Sequence, residues 1–221
     1  MAQLGARFHG MEEVVSSNLT RSTNMTPQPN LWLIRHGETE WSLSGQHTGR
    51  TDVPLTAAGE ARAAALGRYL AGRRFALVLT SPLQRARETC RIAGYGGAAQ
   101  IEPNLCEWDY GAYEGRTSGD IRKEVPGWDL WTMGVVGGET VEQVGRRARL
   151  VIERACAASG DVALFAHGHI LRILAACWLD LAPSAGRLLA FDTGCVSVLG
   201  YERETRVIQR WNESPDGPER A

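Results

Sequence analysis

The sequence predicts an α/β fold, a three-layer sandwich with helices on both faces of a mainly parallel central sheet, in one domain. Three observations carry this. Short apolar runs at 31–34, 75–79 and 162–166 alternate with longer stretches whose apolar residues recur at helical spacing. Strands that run parallel need crossover connections, and the intervening helices supply them. The chain of 221 residues is long enough to bury a full core and shows no internal repeat.

Residues 1 to 30 lack sustained periodicity and end in Thr26-Pro27-Gln28-Pro29-Asn30, so they read as a disordered leader. Leu31 to Ile34 is a buried strand cut off by the polar Arg35-His36-Gly37. Thr56 caps a helix to about Leu70, with Ala61, Ala65, Leu66 and Tyr69 or Leu70 inward. A strand over Phe75 to Leu79 leads to Thr80-Ser81-Pro82, where Ser81 suits an N-cap and Pro82 the first helical position. Glycines from Gly94 to Gly97 precede a weaker strand near Gln100 to Glu102, and an aromatic loop follows from Leu105 to Gly115. Thr140-Val141-Glu142-Gln143 is a capping box opening a long helix with Val144, Ala148, Val151, Ile152 and Ala155 on one face. Val162 to Ala166 is a strand broken by His167-Gly168-His169, and Ile170 to Leu179 is an apolar helix. Late strands are expected at Leu188 to Phe191, Val196 to Tyr201 and Arg206 to Arg210. The domain is expected to span residues 31–212, with a flexible tail over 213–221.

Composition removes several function classes. Lys plus Arg number 24 against 25 acids, so no bulk charge draws nucleic acid or an anionic membrane, and any anion site must be local. The five cysteines are far apart with no CxxC pair, which suits reduced thiols and a cytoplasmic location. No stretch reaches the roughly 18 apolar residues of a spanning helix, and no signal peptide is read at the N-terminus. A homo-oligomer is compatible with this composition.

Ligands of open α/β sheets bind beyond the carboxyl ends of the strands. Arg35-His36, Ser81 to Arg85 and His167 all fall at such ends. A guanidinium suits phosphate oxygens bidentately. A neutral imidazole can attack phosphorus and split one hard step into two. Taken singly, each residue has a plain alternative: a surface Arg-His pair, a solvated Arg85 beside Arg87 and Arg91, a half-buried His167, or a His169 that only supports its loop. Glu107 sits in aromatic surroundings that could raise its pKa and keep it protonated as a general acid, with Asp109 and Glu114 as competitors. His36, His47, His167 and His169 do not form a zinc motif, and no GxxxxGK[ST] loop occurs, so no metal and no ATP are expected.

Arg35-His36-Gly37-Glu38-Thr39-Glu40-Trp41 resembles the signature of the phosphoglycerate mutase and histidine phosphatase superfamily. The likeness continues in order through Ser81 to Thr89, Glu107 to Gly115 and Phe165-Ala166-His167-Gly168, covering roughly residues 31 to 200. It implies a phosphoglycerate mutase-like fold without cofactor, with Arg35, Arg85 and His167 around a phosphoryl group, His36 as nucleophile and Glu107 as proton donor.

Residues 40–49 and 107–115 look most similar to sugar-phosphatase members such as sedoheptulose bisphosphatase. Mutases have Asn where this chain has Ser42, a lysine near Ser118, and an arginine pair at Thr132-Met133. The likeness places Ser42, Thr48, Gly49 and Tyr110 in a substrate pocket, and His169 beside them. It implies hydrolysis of a small phosphorylated metabolite, a sugar phosphate, through a phosphohistidine on His36. The competing readings are a cofactor-dependent phosphoglycerate mutase and a ligand-binding protein without turnover.

Overall fold

The computed structural model describes residues 28–217. The expected leader lies outside them up to residue 27, and the tail from residue 218. Asn30 is anchored: its backbone N–H and side-chain amide both donate to Asp161 Oδ1, at 3.1 and 3.2 Å, and the Trp32 indole donates to Asp161 Oδ2.

In chain order the elements are β1 (Leu31–Arg35), α1 (Glu40–Ser44), α2 (Ala57–Tyr69), β2 (Leu77–Thr80), α3 (Gln84–Ile92), β3 (Ala99–Ile101), α4 (Ser118–Glu124), α5 (Leu130–Met133), α6 (Val141–Cys156), β4 (Val162–Ala166), α7 (Gly168–Trp178), β5 (Val196–Glu202) and β6 (Thr205–Glu213). The sheet order is β3-β2-β4-β1-β5-β6. The pairs from β3 through β1 are parallel, and β5 and β6 add an antiparallel edge. β4 is buried along its whole length, as its unbroken apolar sequence requires of a central strand. Helix α6 opens with the expected Thr140–Gln143 capping box and buries Val144, Ala148, Val151, Ile152 and Ala155. Each buried Val or Ile there stabilises the fold by about 1.5–3 kcal/mol. The core divides between the two sheet faces: Leu31, Leu33 and Leu164 point to one, Trp32, Ile34 and Phe165 to the other.

The structure departs from expectation in identifiable places. Leu188 to Phe191 is not a strand. A 3-10 turn occupies Pro183–Leu188, the sheet edge beside β5 is taken by β6, and the Phe191 carbonyl turns inward to Arg35 instead. Ser81 does not cap α3, which begins at Gln84 with Leu83 at the cap position. The Ser81 hydroxyl is engaged with His167, and Asp52 from a distant loop accepts the Gln84 N–H at 2.6 Å. β2 begins at Leu77 rather than Phe75, and β6 runs to Glu213, past residue 212. Short helices α1, α4 and α5, capped by Thr39, Thr117 and Asp129, went unread. They are too short for apolar periodicity to register.

Candidate active site

The strand order makes β2, β4 and β1 neighbours. Strands lie about 4.8 Å apart, so residues leaving their carboxyl ends fall within one small region. The ladder continues into the site: His36 N–H donates to the Ala166 carbonyl at 3.0 Å and Ser81 N–H to the Phe165 carbonyl at 2.9 Å. The His36 and His167 rings stand 5.2 Å apart between centroids. Gly37 and Gly59 lie where the start of α2 packs directly on the His36 loop, and a Cβ on either would strike backbone of the other segment. Glycine is therefore needed at both for close approach.

His36 Nδ1 lies 2.6 Å from the Gly37 carbonyl. A carbonyl only accepts, so Nδ1 carries the hydrogen and Nε2 keeps its lone pair. Burial, then the charges of Arg85 and Arg35, hold the His36 imidazole well below its usual pKa. It is thus neutral at pH 7, the form that can act as a nucleophile. His167 is fixed by a cation: Arg85 Nε donates to its Nδ1 at 3.1 Å, so Nε2 is protonated and faces Ser81 Oγ at 2.8 Å. Burial, then Arg85 and His36, keep His167 neutral as well.

Arg35 and Arg85 differ in what they leave free. Arg85 is wholly buried and gives further bonds to the carbonyls of Thr51, Thr48 and Gly49, each at 2.9 Å. Arg35 donates to the Phe191 carbonyl, and its Nε is the one buried side-chain nitrogen or oxygen without a partner among the described residues. An orphaned buried guanidinium N–H costs roughly 1–3 kcal/mol until an acceptor arrives.

Glu107 is where the sequence reading needs correction. Its Oε1 accepts the N–H groups of Trp108 and Ile170, and its Oε2 that of His169, each at 2.9 Å. Two of those amides begin α7, whose dipole favours a negative charge. Burial alone would raise the carboxyl, but His169, His167 and the His169 amide outweigh it, and Glu107 is held well below the ordinary carboxylate range. The aromatic surroundings are real, with Trp108 buried, yet these bonds make Glu107 a carboxylate rather than an acid. His169 is 3.8 Å from Glu107 through Nδ1, which sits 2.7 Å from the Tyr110 hydroxyl. Burial raises Tyr110 well above its usual pKa and lowers His169. The 2.7 Å bond thus joins a protonated phenol to the imidazole, and its direction is set by the imidazole tautomer.

A cavity of about 180 Å³ opens at these groups, walled by Arg35, His36, Ser42, Gly45, Gln46, His47, Thr48, Glu107, Tyr110 and His169. Ser42, Thr48, Tyr110 and His169, expected at a substrate pocket, line this cavity. Gly49 is not on the wall: its N–H goes to Glu114 and its carbonyl to Arg85. Arg85 and His167 stand behind the wall, each fully buried. Sequence reasoning missed Gln46 and His47. His47 stacks on Tyr110, with centroids 4.8 Å apart, and meets Trp128 edge-on. Burial brings its pKa down to about 4. Its position between the aligned Ser42 and Thr48 was the signal that could have found it.

Residues 31–214 match the histidine phosphatase superfamily, branch 1. The chain belongs to that superfamily. It is 38% identical over 182 residues to an acid phosphatase of Mycobacterium tuberculosis, covering 80% of this chain and 89% of the relative. It is 35% identical over 186 residues to sedoheptulose 1,7-bisphosphatase of Saccharomyces cerevisiae, covering 69% of this chain and 68% of the other. Among solved structures, that of an open reading frame product of Mycobacterium tuberculosis superposes with a TM-score of 0.80 at 36% identity, over 85% of this chain and 98% of that one. A mycobacterial glucosyl-3-phosphoglycerate phosphatase in complex with VO3 gives 0.75 at 27%, over 83% and 98%.

Proposed function

We propose that the protein is a phosphoric monoester hydrolase acting on a small phosphorylated sugar through a phosphohistidine on His36. The observation that carries this is the neutral His36 imidazole, whose Nδ1 holds the hydrogen and leaves Nε2 its lone pair, on a cavity wall shared with Arg35 and Glu107. The phosphatase names of the relatives support the reading.

In this reading Nε2 of His36 attacks phosphorus while Arg35 meets the equatorial oxygens, and the Arg85 charge and the His167 N–H, one layer behind the wall, add to the positive field there, an electrostatic task of the kind that dominates phosphoryl transfer. The P–O bond to the sugar breaks, and Glu107 gives a proton to the departing alkoxide. A phosphoryl dianion entering the cavity raises the Glu107 pKa by like-charge repulsion, so the acid form arises when substrate is bound. Glu107 then takes a proton from the water that cleaves the phosphohistidine. The chemistry calls for no metal. Within the described residues no three His, Cys, Asp or Glu side chains come together as a metal cluster.

In this reading Ser42, Gln46, His47, Thr48, Tyr110 and His169, which line the cavity together with Arg35, His36 and Glu107, face the leaving group. His47 and His169 are neutral at pH 7, so this end offers hydrogen bonds without charge, as a polyhydroxy leaving group requires. A phosphoglycerate would bring a carboxylate to a wall whose one cation among the described residues, Arg35, is assigned to the phosphoryl group, which favours hydrolysis over mutase action. The cytoplasm is the location we assign, on five free thiols and no helix among the described residues long and apolar enough to cross a membrane.

His36→Ala should abolish turnover, and rapid-quench labelling with substrate should trap phosphate on residue 36 of the wild type. Turnover by His36→Ala at an undiminished rate, or loss of activity to EDTA with recovery on adding metal, overturns the proposal. Conversion of 3-phosphoglycerate to 2-phosphoglycerate with little phosphate release would replace it with the mutase reading.

A further inference from the structure

Glu114 lies off the cavity wall, yet its carboxylate is bound to the backbone of the loop that grips Arg85. Gly49 N–H meets both carboxylate oxygens, at 2.9 and 3.0 Å, and Thr51 N–H meets Oε1 at 3.0 Å. The opposite edge of the same loop faces the guanidinium. The carbonyls of Thr48 and Gly49 accept from Arg85 Nη2, and that of Thr51 from Nη1. The loop is thus a layer of peptides between a carboxylate and a guanidinium. Its fit is close: a Cβ at Gly49 would stand 2.5 Å from Glu114 Oε2 and 2.7 Å from the Trp108 carbonyl. With both Nη groups so held, Arg85 Nε is aimed at His167 Nδ1, at 3.1 Å.

We infer that Glu114 is a positioning residue, which acts through the 48–51 loop on Arg85 and through Arg85 on the tautomer and orientation of His167. The inference rests on the proposed function, in which Arg85 and His167 add to the positive field at the phosphoryl group. The physical ground is that a buried guanidinium spends its N–H groups wherever fixed acceptors stand, and its three carbonyl acceptors lie on the loop whose Gly49 and Thr51 N–H groups Glu114 holds. Without the carboxylate, two loop N–H groups lose their partner and the loop relaxes. Arg85 follows its acceptors, and His167 Nδ1 loses the donor that holds the hydrogen on Nε2.

The test uses Glu114→Ala and Glu114→Gln with two readouts. The first is steady-state kinetics on a phosphorylated sugar. The Ala variant is expected to lose about 10- to 100-fold in kcat, the scale of an ångström-level misplacement, with a smaller change in KM. The Gln variant, which keeps one amide oxygen for the loop, is expected to recover part of the loss. The second is side-chain nitrogen NMR of His167, assigned by its absence in His167→Asn. Wild type should show an unprotonated Nδ1 and a protonated Nε2, and the Ala variant should show the Nδ1 resonance displaced. Simple destabilisation elsewhere leaves those resonances in place. Unchanged His167 resonances in a folded Glu114→Ala protein overturn the inference whatever the kinetics. If the Ala variant does not fold, Glu114→Gln decides by the same two readouts. Failure of the proposed function itself would appear separately, as turnover by His36→Ala, and would not alter the His167 resonances.

Discussion

Replacing Glu107 with Gln tests whether residue 107 is a carboxylate in the free protein. The amide oxygen can stand where Oε1 does and keep the bonds from Trp108 and Ile170, but the NH2 then confronts the His169 N–H, donor against donor. A stranded buried N–H costs about 1–3 kcal/mol. Loss of the negative charge at the start of α7 adds about 0.3–2 kcal/mol, and relief from burying a charge works in the opposite direction. The net expectation is a variant less stable than wild type at pH 7 by about 1–3 kcal/mol. The pH dependence has a definite sign. The folded pKa of Glu107 lies below the unfolded value of about 4.3, so its stabilisation is complete above the unfolded value and is lost as pH falls through the folded one. Urea unfolding of both proteins from pH 7 downward should show the gap constant near neutrality and closing in that acid window. Equal or greater stability of Glu107→Gln at pH 7 would refute the reasoning, because it would mean a carboxyl already protonated before substrate arrives. The same variant should lose about 10²- to 10⁴-fold in kcat, as removal of a general acid–base does.

Four further outcomes are expected. Orthovanadate, by meeting the orphaned Arg35 Nε, should stabilise the wild type by about 2.7 kcal/mol at one hundred times its Kd, and thermal unfolding of Arg35→Met with vanadate should show the gain largely gone. Gly59→Ala should lose folded yield and activity because the new Cβ would meet the Glu38 backbone, whereas Gly97→Ala, with open space around it, should behave as wild type in the same expression and turnover assays. Asp161→Ala should cost about 1–3 kcal/mol in urea unfolding, since it strands the donors of Asn30 and Trp32, and should leave kcat unchanged. His47, brought down to about 4, is neutral when folded and gains a proton when unfolded below about pH 6.5. Its stabilisation is full above that value and falls away toward pH 4, so His47→Asn should flatten the acid loss of stability by up to about 3 kcal/mol.

What could be read from residues alone follows the range of the interactions. Strands β1 and β4 and helix α6 announce themselves through apolar pattern and a capping box, all within a few neighbouring residues. The five expected catalytic side chains come together because each sits at the end of a strand, in a loop facing those ends or, for Arg85, in the first turn of the helix that follows one. Glu107 was found but its charge was misjudged, since the aromatic neighbours are visible in the sequence while the amides of His169 and Ile170 arrive from 62 and 63 residues away. The α3 cap was misplaced for the same reason: Ser81 is the local candidate, but it turns to His167, and Asp52 takes over from 32 residues off. Gly49 illustrates the converse. Its place in a motif was legible, whereas its service to Arg85 and Glu114, rather than to a ligand, is a property of folded geometry.

The sheet order has a consequence for when the protein becomes competent during synthesis. β1 and β2 are made early but do not touch, because the strand that joins them on both sides is β4. A nascent chain that has not yet released residue 167 has two unjoined edges and no pocket. Such non-local closure slows folding, and it leaves exposed strand edges on the ribosome-bound intermediate until the last third of the chain emerges. The ends of β1 and β2 are therefore not brought to one pocket until β4 lies between them.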